Sequence, residues 1–515
     1  MDLLAASSPA AIRVPLRHRL ALPHLHAIVR LDPPLTGTRQ GVGIAVTVLL
    51  VVGYCVFYGA YVVLHHQALG SHGEDLGIMD QTLWNSLHGH FWRQTICNPI
   101  SDLDCLGEAS RWGIHFEPLM LVLLPLYSLF PHPETLQIAQ VIGVALGAIP
   151  AYLLGSRRTR SAAAGIALAM LYLGLPTLRA ATTSDFHMVT FAAPILLLAL
   201  YAVYARHDRL LIIACVLALG TKEQIPLDVL MIALLLFGQG RRRLAVAVAA
   251  LAVGWGVLAL VVLHVMSPLG LSPAVARYGI GGNALTRIPL LFTDPARIAY
   301  YLRVVLNTGG VALLAPWALA LVLPSVLLNA LSTYPHQYTG AFHYSADIAP
   351  FLVVATLEGS IVLWRWCGRR GVAEPLVRRL LFGAVLLAAL GMMLVLPQSR
   401  AIDAATLEGW PTVTAHARLA ATFFAMIPPT AAISAQAALV PHLSERRWIY
   451  QFPSGIDRVE YILLDQTTTV YPEPDAAHYR FAVWALTATE DFVVVRAEGG
   501  FVLFQRARPL PTASP

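Results

Sequence analysis

Residues 41–64 read GVGIAVTVLLVVGYCVFYGAYVVL, and a short way further on residues 73–81 read GEDLGIMDQ. The first stretch has no charged side chain, and it exceeds the roughly 20 residues that a helix needs to cross the hydrocarbon core. The second places the carboxylates of Glu74, Asp75 and Asp80 within seven residues of a chain that is only 12% charged. Acidic side chains beside a membrane span are costly unless they face water or a reactive cavity. This order predicts a membrane helix followed by a functional loop.

The composition extends this interpretation to most of the chain. Hydrophobic residues make up 57% of the sequence, and further apolar windows cover residues 135–155, 243–266 and 345–366. The sequence predicts an all-α polytopic membrane protein. Residues 1–40 hold prolines and arginines and precede an apolar region that is too long for a signal peptide, so we expect a cytoplasmic N-terminal tail.

The arginines predict the orientation. The formal net charge is +6, and Lys222 is the only lysine. Arginines cluster before the first span and at residues 157–160, 206–209, 241–243 and 365–379. The positive-inside rule assigns these segments to the cytoplasm of a plasma (inner) membrane protein, and it assigns loop 65–133 and the region after residue 396 to the outer side. Because the basic residues lie in short loops, nucleic-acid binding is not expected.

Counting the crossings tests that orientation. Residues 118–130 are too short to span the bilayer, so we predict an interfacial helix there. Residues 210–238 have arginines at both ends and a charged turn at 221–226, which predicts two short helices that return to the inner side. A similar return is expected within residues 300–331, near Pro316 or Pro324. The membrane domain, residues 41–396, is thus predicted to have about eleven transmembrane helices.

After residue 396 the pattern changes to that of a small α/β domain. Short apolar runs at 431–434, 461–464, 492–495 and 501–504 alternate with helical patterns at 414–426 and 476–487. The Glu498-Gly499-Gly500 sequence is typical of a hairpin turn between the last two strands. We predict an extracytoplasmic α/β domain over residues 397–515, large enough to fold alone.

The cysteines and histidines give no metal pattern. Cys97 and Cys105 share the outer loop and could form a disulfide in an oxidising compartment, whereas Cys55, Cys215 and Cys367 lie in or near spans. No Cys/His spacing matches a zinc site. We predict no cofactor and no metal site from the sequence, with dependence on a divalent metal left open.

Polar clusters on the outer side are the candidates for chemistry. Singly, each has a structural explanation: Asp75, Asp80 and Asp185 could cap helices, and Lys222 could pair with Glu223 or extend to the interface. Jointly this explanation weakens, because separate segments bring acids, histidines and the only lysine to one membrane face. The clusters are Glu74, Asp75 and Asp80; His115 and Glu117; Asp185 and His187; and Lys222 and Glu223 with His336, His343 and Tyr344.

Such groups suit transfer chemistry at the boundary between water and lipid. A carboxylate can deprotonate an attacking hydroxyl, and a buried lysine can hold a phosphate leaving group. The chain has no phosphate-cradling glycine loop, no Gly-x-Ser-x-Gly elbow and no nucleotide-fold motif. A cytosolic nucleotide is therefore not expected as a co-substrate. The glycines at 279–282 are too few and too isolated to indicate a phosphate-binding loop.

These residues resemble a known superfamily. One span, an outer loop that opens with an acidic motif, a glycine 14 positions later at Gly89, an interfacial helix and a span that ends in Arg-Arg resemble the GT-C superfamily of membrane glycosyltransferases. There the opening acidic residue of the first outer loop is the catalytic base, which corresponds to Asp75. The superfamily's usual Asp-Glu order is reversed here, so Glu74 and Asp80 remain alternatives for the base.

A closer resemblance covers most of residues 40–470. The chain is similar to a bacterial family of predicted membrane proteins known only as a domain of unknown function, whose activity is not established. The motifs that carry this resemblance are Asp75-Leu76-Gly77-Ile78-Met79-Asp80-Gln81, Asp185-Phe186-His187, Lys222-Glu223, His343-Tyr344 with Pro350, Ser434-Ala435-Gln436, and Pro441-His442-Leu443-Ser444.

The GT-C resemblance implies transfer of a sugar from a polyprenyl-phosphate donor to a glycan, lipid or protein acceptor on the outer face. Asp75 would be the base, and Lys222 with Arg179 would meet the donor phosphate. Asp185, His187 and His343 would shape the sugar pocket, with His115, Glu223 and Tyr344 beside them. The alternatives are a transporter or flippase, which should show internal repeats and midplane charges, and a non-catalytic scaffold, which should tolerate loss of Asp75.

Overall fold

The computed structural model describes residues 31–98, 108–268, 270, 277–278, 287–395 and 409–508. Its first part is a bundle of helices, and its last part is a small sheet with two helices. The helices of the bundle are, in chain order, α1 (Thr38–Gln67), α2 (Ile78–Leu87), α3 (Leu124–Leu129), α4 (Pro133–Leu146), α5 (Ala148–Thr159), α6 (Ala162–Gly174), α7 (Pro176–Thr183), α8 (Ala192–Ala205), α9 (Asp208–Leu219), α10 (Pro226–Gly238), α11 (Arg242–Met266), α12 (Leu290–Thr293), α13 (Pro295–Leu306), α14 (Pro316–Leu319), α15 (Leu323–Leu331), α16 (Ala349–Arg369) and α17 (Glu374–Val395).

The number of long apolar helices corrects the expected count of eleven. Within the described ranges, six helices are long and apolar enough to cross a membrane, and the pair α6 and α7, bent by 48°, would make seven. Three of the four apolar windows predicted from the sequence lie wholly within such helices, and residues 349–366 of the fourth window lie in α16. The six are α1, the continuous run α4–α5, α8 with the turn before it, α11, α16 and α17.

The difference from eleven arises in the shorter apolar segments. Helices α9 and α10 have 12 and 13 residues, and at about 1.5 Å of rise per residue neither covers the roughly 30 Å of a bilayer core. The segment 300–331 is broken at the two prolines singled out from the sequence, because α14 begins at Pro316 and α15 has Pro324 in its first turn. Apolar composition alone therefore overcounts the crossings.

The loop after α1 holds the acidic motif. It continues as a π-helix, Gly73–Gly77, where the N–H of Gly77 donates to the carbonyl of His72 at 3.3 Å, and then as α2. A two-stranded ribbon follows, β1 (Arg93–Gln94) with β2 (Ala109–Ser110). The expected interfacial segment is helical, first as a 3-10 turn, Pro118–Leu123, and then as α3, and it exposes Val122 and Leu129.

The C-terminal region forms the predicted α/β fold. Helices α18 (Ala415–Phe424) and α19 (Ala476–Ala488) accompany a five-stranded sheet of order β4-β3-β5-β7-β6. The strands are β3 (Ile433–Ala435), β4 (Ile449–Gln451), β5 (Tyr461–Asp465), β6 (Phe492–Glu498) and β7 (Phe501–Arg506). Strands β4 and β5 run parallel to β3, and β7 runs antiparallel to β5 and β6. The hairpin at Gly499 and Gly500 is confirmed, and both glycines have positive φ.

This C-terminal sheet packs directly on the first loop. Ile78 and Ile96 share one apolar core with Val440 and Leu443, and the N–H of Gly73 donates to the carbonyl of Ala437 at 2.9 Å. A Cβ on Gly73 would lie 2.9 Å from the Cβ of Val440, so only glycine permits this approach. The loop and the C-terminal sheet therefore lie on the same side of the bundle.

Two expectations for the loop involve residues that the structure leaves undescribed. Cys97 is disulfide-bonded, and Cys105, the partner considered from the sequence, lies outside the described residues. Residues 1–30, 279–282 and 397–408 also lie outside them. Among the described cysteines, Cys55, Cys215 and Cys367 have free thiols.

The orientation of the chain stays a prediction from the arginines, and it can be tested directly. Reporter fusions placed after Leu106 and after Gln505 should both report the outer compartment, because the first loop and the C-terminal sheet share one side. Fusion after Arg160 should report the cytoplasm. A cytoplasmic signal from either of the first two positions would contradict the assignment.

Candidate functional site

Side chains from four distant segments form one continuous set of contacts. Asp75 Oδ1 lies 3.0 Å from Nε2 of His187, and the His187 ring stacks on the ring of His343 at 3.4 Å between centroids. Tyr344 follows His343 directly, and the Lys222 ammonium lies 5.8 Å from the Tyr344 ring centroid. The structure thus brings together the acidic loop, the 184–187 turn, the 221–225 turn and the 343–347 segment.

A second pair extends this cluster to the end of the first loop. Nδ1 of His115 lies 2.8 Å from Oε1 of Glu223, and the backbone N–H of Phe116 donates to Oε2 of Glu223 at 3.2 Å. Close by, Arg111 and Glu117 form a buried ion pair at 2.7 Å. The electrostatic neighbours of Lys222 include Glu223, Glu117, Arg111 and Arg277. Lys222 therefore has both acidic and basic neighbours.

The hydrogen bonds of His187 determine the charge of its contact with Asp75. Nδ1 of His187 lies 2.8 Å from the carbonyl of Ser184, and a carbonyl only accepts, so Nδ1 carries a hydrogen. The contact between Nε2 and Asp75 then needs one further proton, which makes the pair an imidazolium and a carboxylate. Burial acts to raise the pKa of Asp75, but the charge and hydrogen bond of His187 outweigh it, and the pKa lies below its ordinary value. Asp75 is therefore ionised at neutral pH.

His343 has the opposite electrostatic environment. Burial, together with the positive neighbours His187 and Lys222, lowers the pKa of His343 well below its ordinary value. Its ring is therefore neutral when it stacks on the charged ring of His187. A neutral aromatic ring can accept a cation on its face, so this stack orients His187 without adding a second positive charge.

Glutamine 140 in α4 positions the turn that carries His187. Its Oε1 accepts from the backbone N–H of His187 at 2.7 Å, and its Nε2 donates to the carbonyl of Asp185 at 2.6 Å. Asp185 has a positive φ of 41°, an uncommon conformation for a residue with a side chain. Its Oδ2 accepts from the backbone N–H of His72 at 2.9 Å. Asp185 therefore ties the turn to the first loop.

The acids Glu74, Asp75 and Asp80 have different environments. Asp75 is open to solvent, whereas Glu74 and Asp80 are both hydrogen-bonded to the C-terminal domain. The Asp75 side chain is 45% exposed, and burial still acts on its charge, so it lies in a recess that is open to solvent. Glu74 accepts hydrogen bonds from Gln451 at 2.6 Å and from Tyr471 at 2.9 Å. Glu74 thereby fastens the C-terminal domain to the loop.

Asp80 is fully buried and fully bonded. Its Oδ1 accepts from the hydroxyl of Tyr127 at 2.6 Å, and its Oδ2 lies 2.7 Å from the hydroxyl of Ser444. Burial raises the pKa of Asp80 to about 8. A protonated Asp80 donates to Ser444, whose own hydrogen is then available for the carbonyl of Pro441 at 2.9 Å. This geometry gives Asp80 a structural role, joining the loop, α3 and the C-terminal sheet.

Arg179 was expected from the sequence to bind the donor phosphate, but the structure buries it among the helices of the bundle. Its side chain is only 2% exposed. The guanidinium donates to the hydroxyl of Tyr58 in α1 at 2.9 Å and to the carbonyl of Met392 in α17. Arg179 therefore joins three helices of the bundle, and the structure offers no exposed face of this residue to a donor phosphate.

Several residues that position the acids and His187 were not identified from the sequence. Gln140 and Tyr127 lie in apolar helices and match no motif, whereas Ser444 lies in the Pro441–Ser444 motif already noted. Tyr471 and Gln451 reach Glu74 from far along the chain, and no local pattern signals such a contact. Within the described ranges, no group of three or more His, Cys, Asp or Glu side chains is arranged to hold a metal ion.

Comparison with known proteins agrees with this architecture. A family model described as "Predicted membrane protein (DUF2079)" matches residues 65–478. Among solved structures, ArnT from Cupriavidus metallidurans bound to undecaprenyl phosphate is similar over 91% of this chain and 99% of that chain, with a TM-score of 0.53 and 15% identity. Curated proteins give no match. At this identity the likeness concerns the fold, and it confirms the predicted class, a mainly helical membrane protein, with an ArnT-like fold.

Proposed function

We propose that this chain, which belongs to the DUF2079 family of predicted membrane proteins, is a membrane glycosyltransferase that moves a sugar from a polyprenyl-phosphate donor to an acceptor on the outer face. The observation that carries the proposal is the environment of Asp75. It is an ionised, solvent-open carboxylate beside a cluster of cations at the end of a membrane span. Supporting it, ArnT, which shares the fold, is described as bound to undecaprenyl phosphate.

In the proposed reaction, Asp75 acts on the acceptor. The acceptor hydroxyl donates a hydrogen bond to the Asp75 carboxylate and attacks the anomeric carbon of the donor sugar. The bond between that carbon and the phosphate oxygen breaks, the polyprenyl phosphate leaves with its electron pair, and the hydroxyl proton passes to Asp75. Because sugar transfer develops positive charge on the ring, an ionised carboxylate also stabilises the transition state.

His187 and His343 position that carboxylate in the proposed mechanism. The His187 imidazolium holds Asp75 Oδ1 and keeps it ionised, which leaves Oδ2 to meet the acceptor. The stacked His343 ring limits rotation of His187. The two histidines do not themselves exchange a proton with substrate, and we therefore assign them as positioning residues.

Lys222 is proposed to hold the donor phosphate. It is the only lysine of the chain, it is buried, and Tyr344 and Arg277 are among its neighbours. A compact ammonium can follow the phosphate as its charge increases during bond cleavage. Glu223, which accepts from His115 and Phe116, keeps the lysine turn in place.

Replacing Lys222 by Met should weaken binding of a polyprenyl phosphate by about ten- to a hundredfold, because a hydrogen bond to a charged group is worth roughly 1.5–3 kcal/mol. Titration of the purified protein with a fluorescent polyprenyl phosphate, and with the uncharged polyprenol, checks this. Lys222→Arg should retain much of the affinity. The proposal fails if Lys222→Met weakens both lipids equally, since the lysine would then act through packing rather than through the phosphate.

A further inference from the structure

The Pro441–Ser444 motif carries a histidine that the proposed sugar transfer does not use. The ring of His442 lies on the ring of His66, with 4.0 Å between the centroids and 12° between the planes. The ring of Phe424, in α18, is nearly parallel to that of His442 at 5.3 Å between centroids. His66 is in the last turn of α1. The stacked rings therefore join the end of the first membrane helix to the C-terminal domain.

The two imidazole rings meet in a buried place that offers them few hydrogen bonds. Only 3% of His66 is exposed. Nδ1 of His66 and Nε2 of His442 are buried and have no hydrogen-bond partner among the described residues. A neutral imidazole has one N–H, whereas a protonated imidazole has two N–H groups and a positive charge. Because a buried charge is costly unless it is paired and hydrogen-bonded, this geometry favours two neutral rings.

The charged groups around the stack do not remove that cost. Burial, followed by the charge of His66, lowers the pKa of His442 well below its ordinary value. Glu134 and the backbone of His66 act in the opposite direction and offset only part of this effect. His65, the neighbour of His66 in α1, would add a further positive charge when protonated. Protons on both stacked rings would also place two like charges close together.

Other titratable groups at this contact have the opposite dependence on pH. A hydrogen bond with Glu445 raises the pKa of His132, but the two side chains are 63% and 37% exposed, and exposed pairs contribute little. Burial raises the pKa of Asp80 to about 8, so its contact with Ser444 favours acidic conditions. A loss of docking on acidification therefore cannot come from these groups.

We propose that the stacked rings of His66 and His442 form an acid-sensitive joint between the first membrane helix and the C-terminal domain. At neutral pH both rings are neutral and the stack is closed. In acid, a proton from the solvent binds a ring nitrogen that has no partner in the closed stack. The charged ring then gains its hydration only when the stack opens, so acidification favours the open joint.

The same segment of the C-terminal domain also holds the acidic loop. The N–H of Gly73 donates to the carbonyl of Ala437 at 2.9 Å, and Ser444 lies 2.7 Å from Oδ2 of Asp80. Opening of the joint should loosen both contacts and so disturb the loop that carries Asp75. This consequence for sugar transfer rests on the proposed function, but the acid-sensitive joint itself does not.

Hydrogen exchange of the purified full-length protein measures this opening. Mass spectrometry of peptides that cover residues 66–80 and 437–444 gives the opening constant once the intrinsic exchange rate is divided out. Each histidine that is neutral when stacked and protonated when exposed takes up one proton on opening. With an ordinary pKa of about 6.5, each adds about a tenfold rise in the opening constant per pH unit below that value. The wild-type constant should therefore rise roughly fifty- to a hundredfold from pH 6 to pH 5.

Phenylalanine at either position keeps a stacked ring that cannot be protonated. His442→Phe and His66→Phe should each reduce the rise between pH 6 and pH 5 to about tenfold, and the double variant should show almost none. His478→Phe is the matched control, because His478 belongs to the same domain but is exposed and paired with Asp475 at 3.0 Å. This control variant should keep the full wild-type response.

Two results would overturn the proposal. One is a rise of less than about tenfold in the wild-type protein, since neither histidine would then be protonated on opening. The other is a full response in His442→Phe and His66→Phe, because the acid sensitivity would then arise elsewhere; these single variants decide the matter even if the double variant does not fold. Loss or retention of transfer in Asp75→Asn does not enter this measurement, so the joint and the proposed function can fail separately.

Discussion

Asp75→Asn is expected to abolish sugar transfer while the protein still folds and still binds the donor lipid. Asparagine keeps the size of the side chain, and its Oδ1 can still accept from His187, but it has neither charge nor basicity. General acid–base groups typically contribute about a hundred- to ten-thousandfold to a rate. Stabilisation of positive charge on the sugar is lost at the same time. A transfer assay with a polyprenyl-phosphate sugar, run beside a lipid-binding titration, measures both quantities.

Asp80→Asn is the matched control for this experiment. In the folded protein Asp80 is buried and bonded to Tyr127 and Ser444, and an asparagine can reproduce the hydrogen bonds of the protonated acid. Transfer should therefore stay close to the wild-type rate. If Asp75→Asn retains full activity while Asp80→Asn is dead, the base has been assigned to the wrong acid. If both remain active, this loop does not act as an enzyme site.

A third variant is needed because Glu74 precedes Asp75, the reverse of the usual Asp-Glu order, so Glu74 is an alternative for the base. Glu74→Gln should keep the contact with Tyr471 and lose only charge, so a modest effect is expected if Glu74 fastens the C-terminal domain. A dead Glu74→Gln enzyme together with an active Asp75→Asn enzyme would transfer the role of base to Glu74. The three variants thus distinguish among all three acids of the motif.

Gln140→Leu is expected to be the most damaging change outside the acidic loop. Leucine has nearly the same volume, but it leaves the N–H of His187 and the carbonyl of Asp185 without their buried partners. Each of these two lost partners costs about 1–3 kcal/mol, so the free energy of unfolding should fall by roughly 2–6 kcal/mol. A displaced His187 would no longer align Asp75, and a misplacement of about 1 Å can cost a hundredfold in rate.

A neighbour in the same helix provides the control for Gln140. Gln137 lies one turn earlier in α4, is also buried, and makes a weaker hydrogen bond of 3.5 Å to Ser71. Gln137→Leu should therefore lose less stability and leave transfer almost unchanged. Thermal unfolding in detergent and the transfer assay compare the two variants. Equal effects of both changes would mean that the turn with Asp185 and His187 does not depend on Gln140.

Much of the fold follows from the sequence by itself. Whether a segment crosses or coats a bilayer depends on its own hydropathy and on arginines beside it, and both are local properties. Hydropathy alone therefore assigns residues 41–64 and 243–266 to long helices. The strands near residues 461–464 and 501–504 followed from short apolar runs that lie between helical patterns. The expected count of eleven crossings was wrong because it included the two short helices predicted in 210–238, and at 12 and 13 residues neither is long enough to span.

The candidate site was only partly predictable, because tertiary contacts select among its residues. Sequence motifs indicated Asp75, His187, Lys222 and His343, but not which of the acids is open to solvent. That depends on Tyr127 and Ser444, which bury and bond Asp80, and these two residues lie 47 and 364 positions further along the chain. The ionisation and exposure of a carboxylate depend on neighbours brought together by folding. Residue types and their order therefore predicted the membrane fold and the candidate groups, and three-dimensional packing decided which acids are buried and bonded and which stays open to solvent.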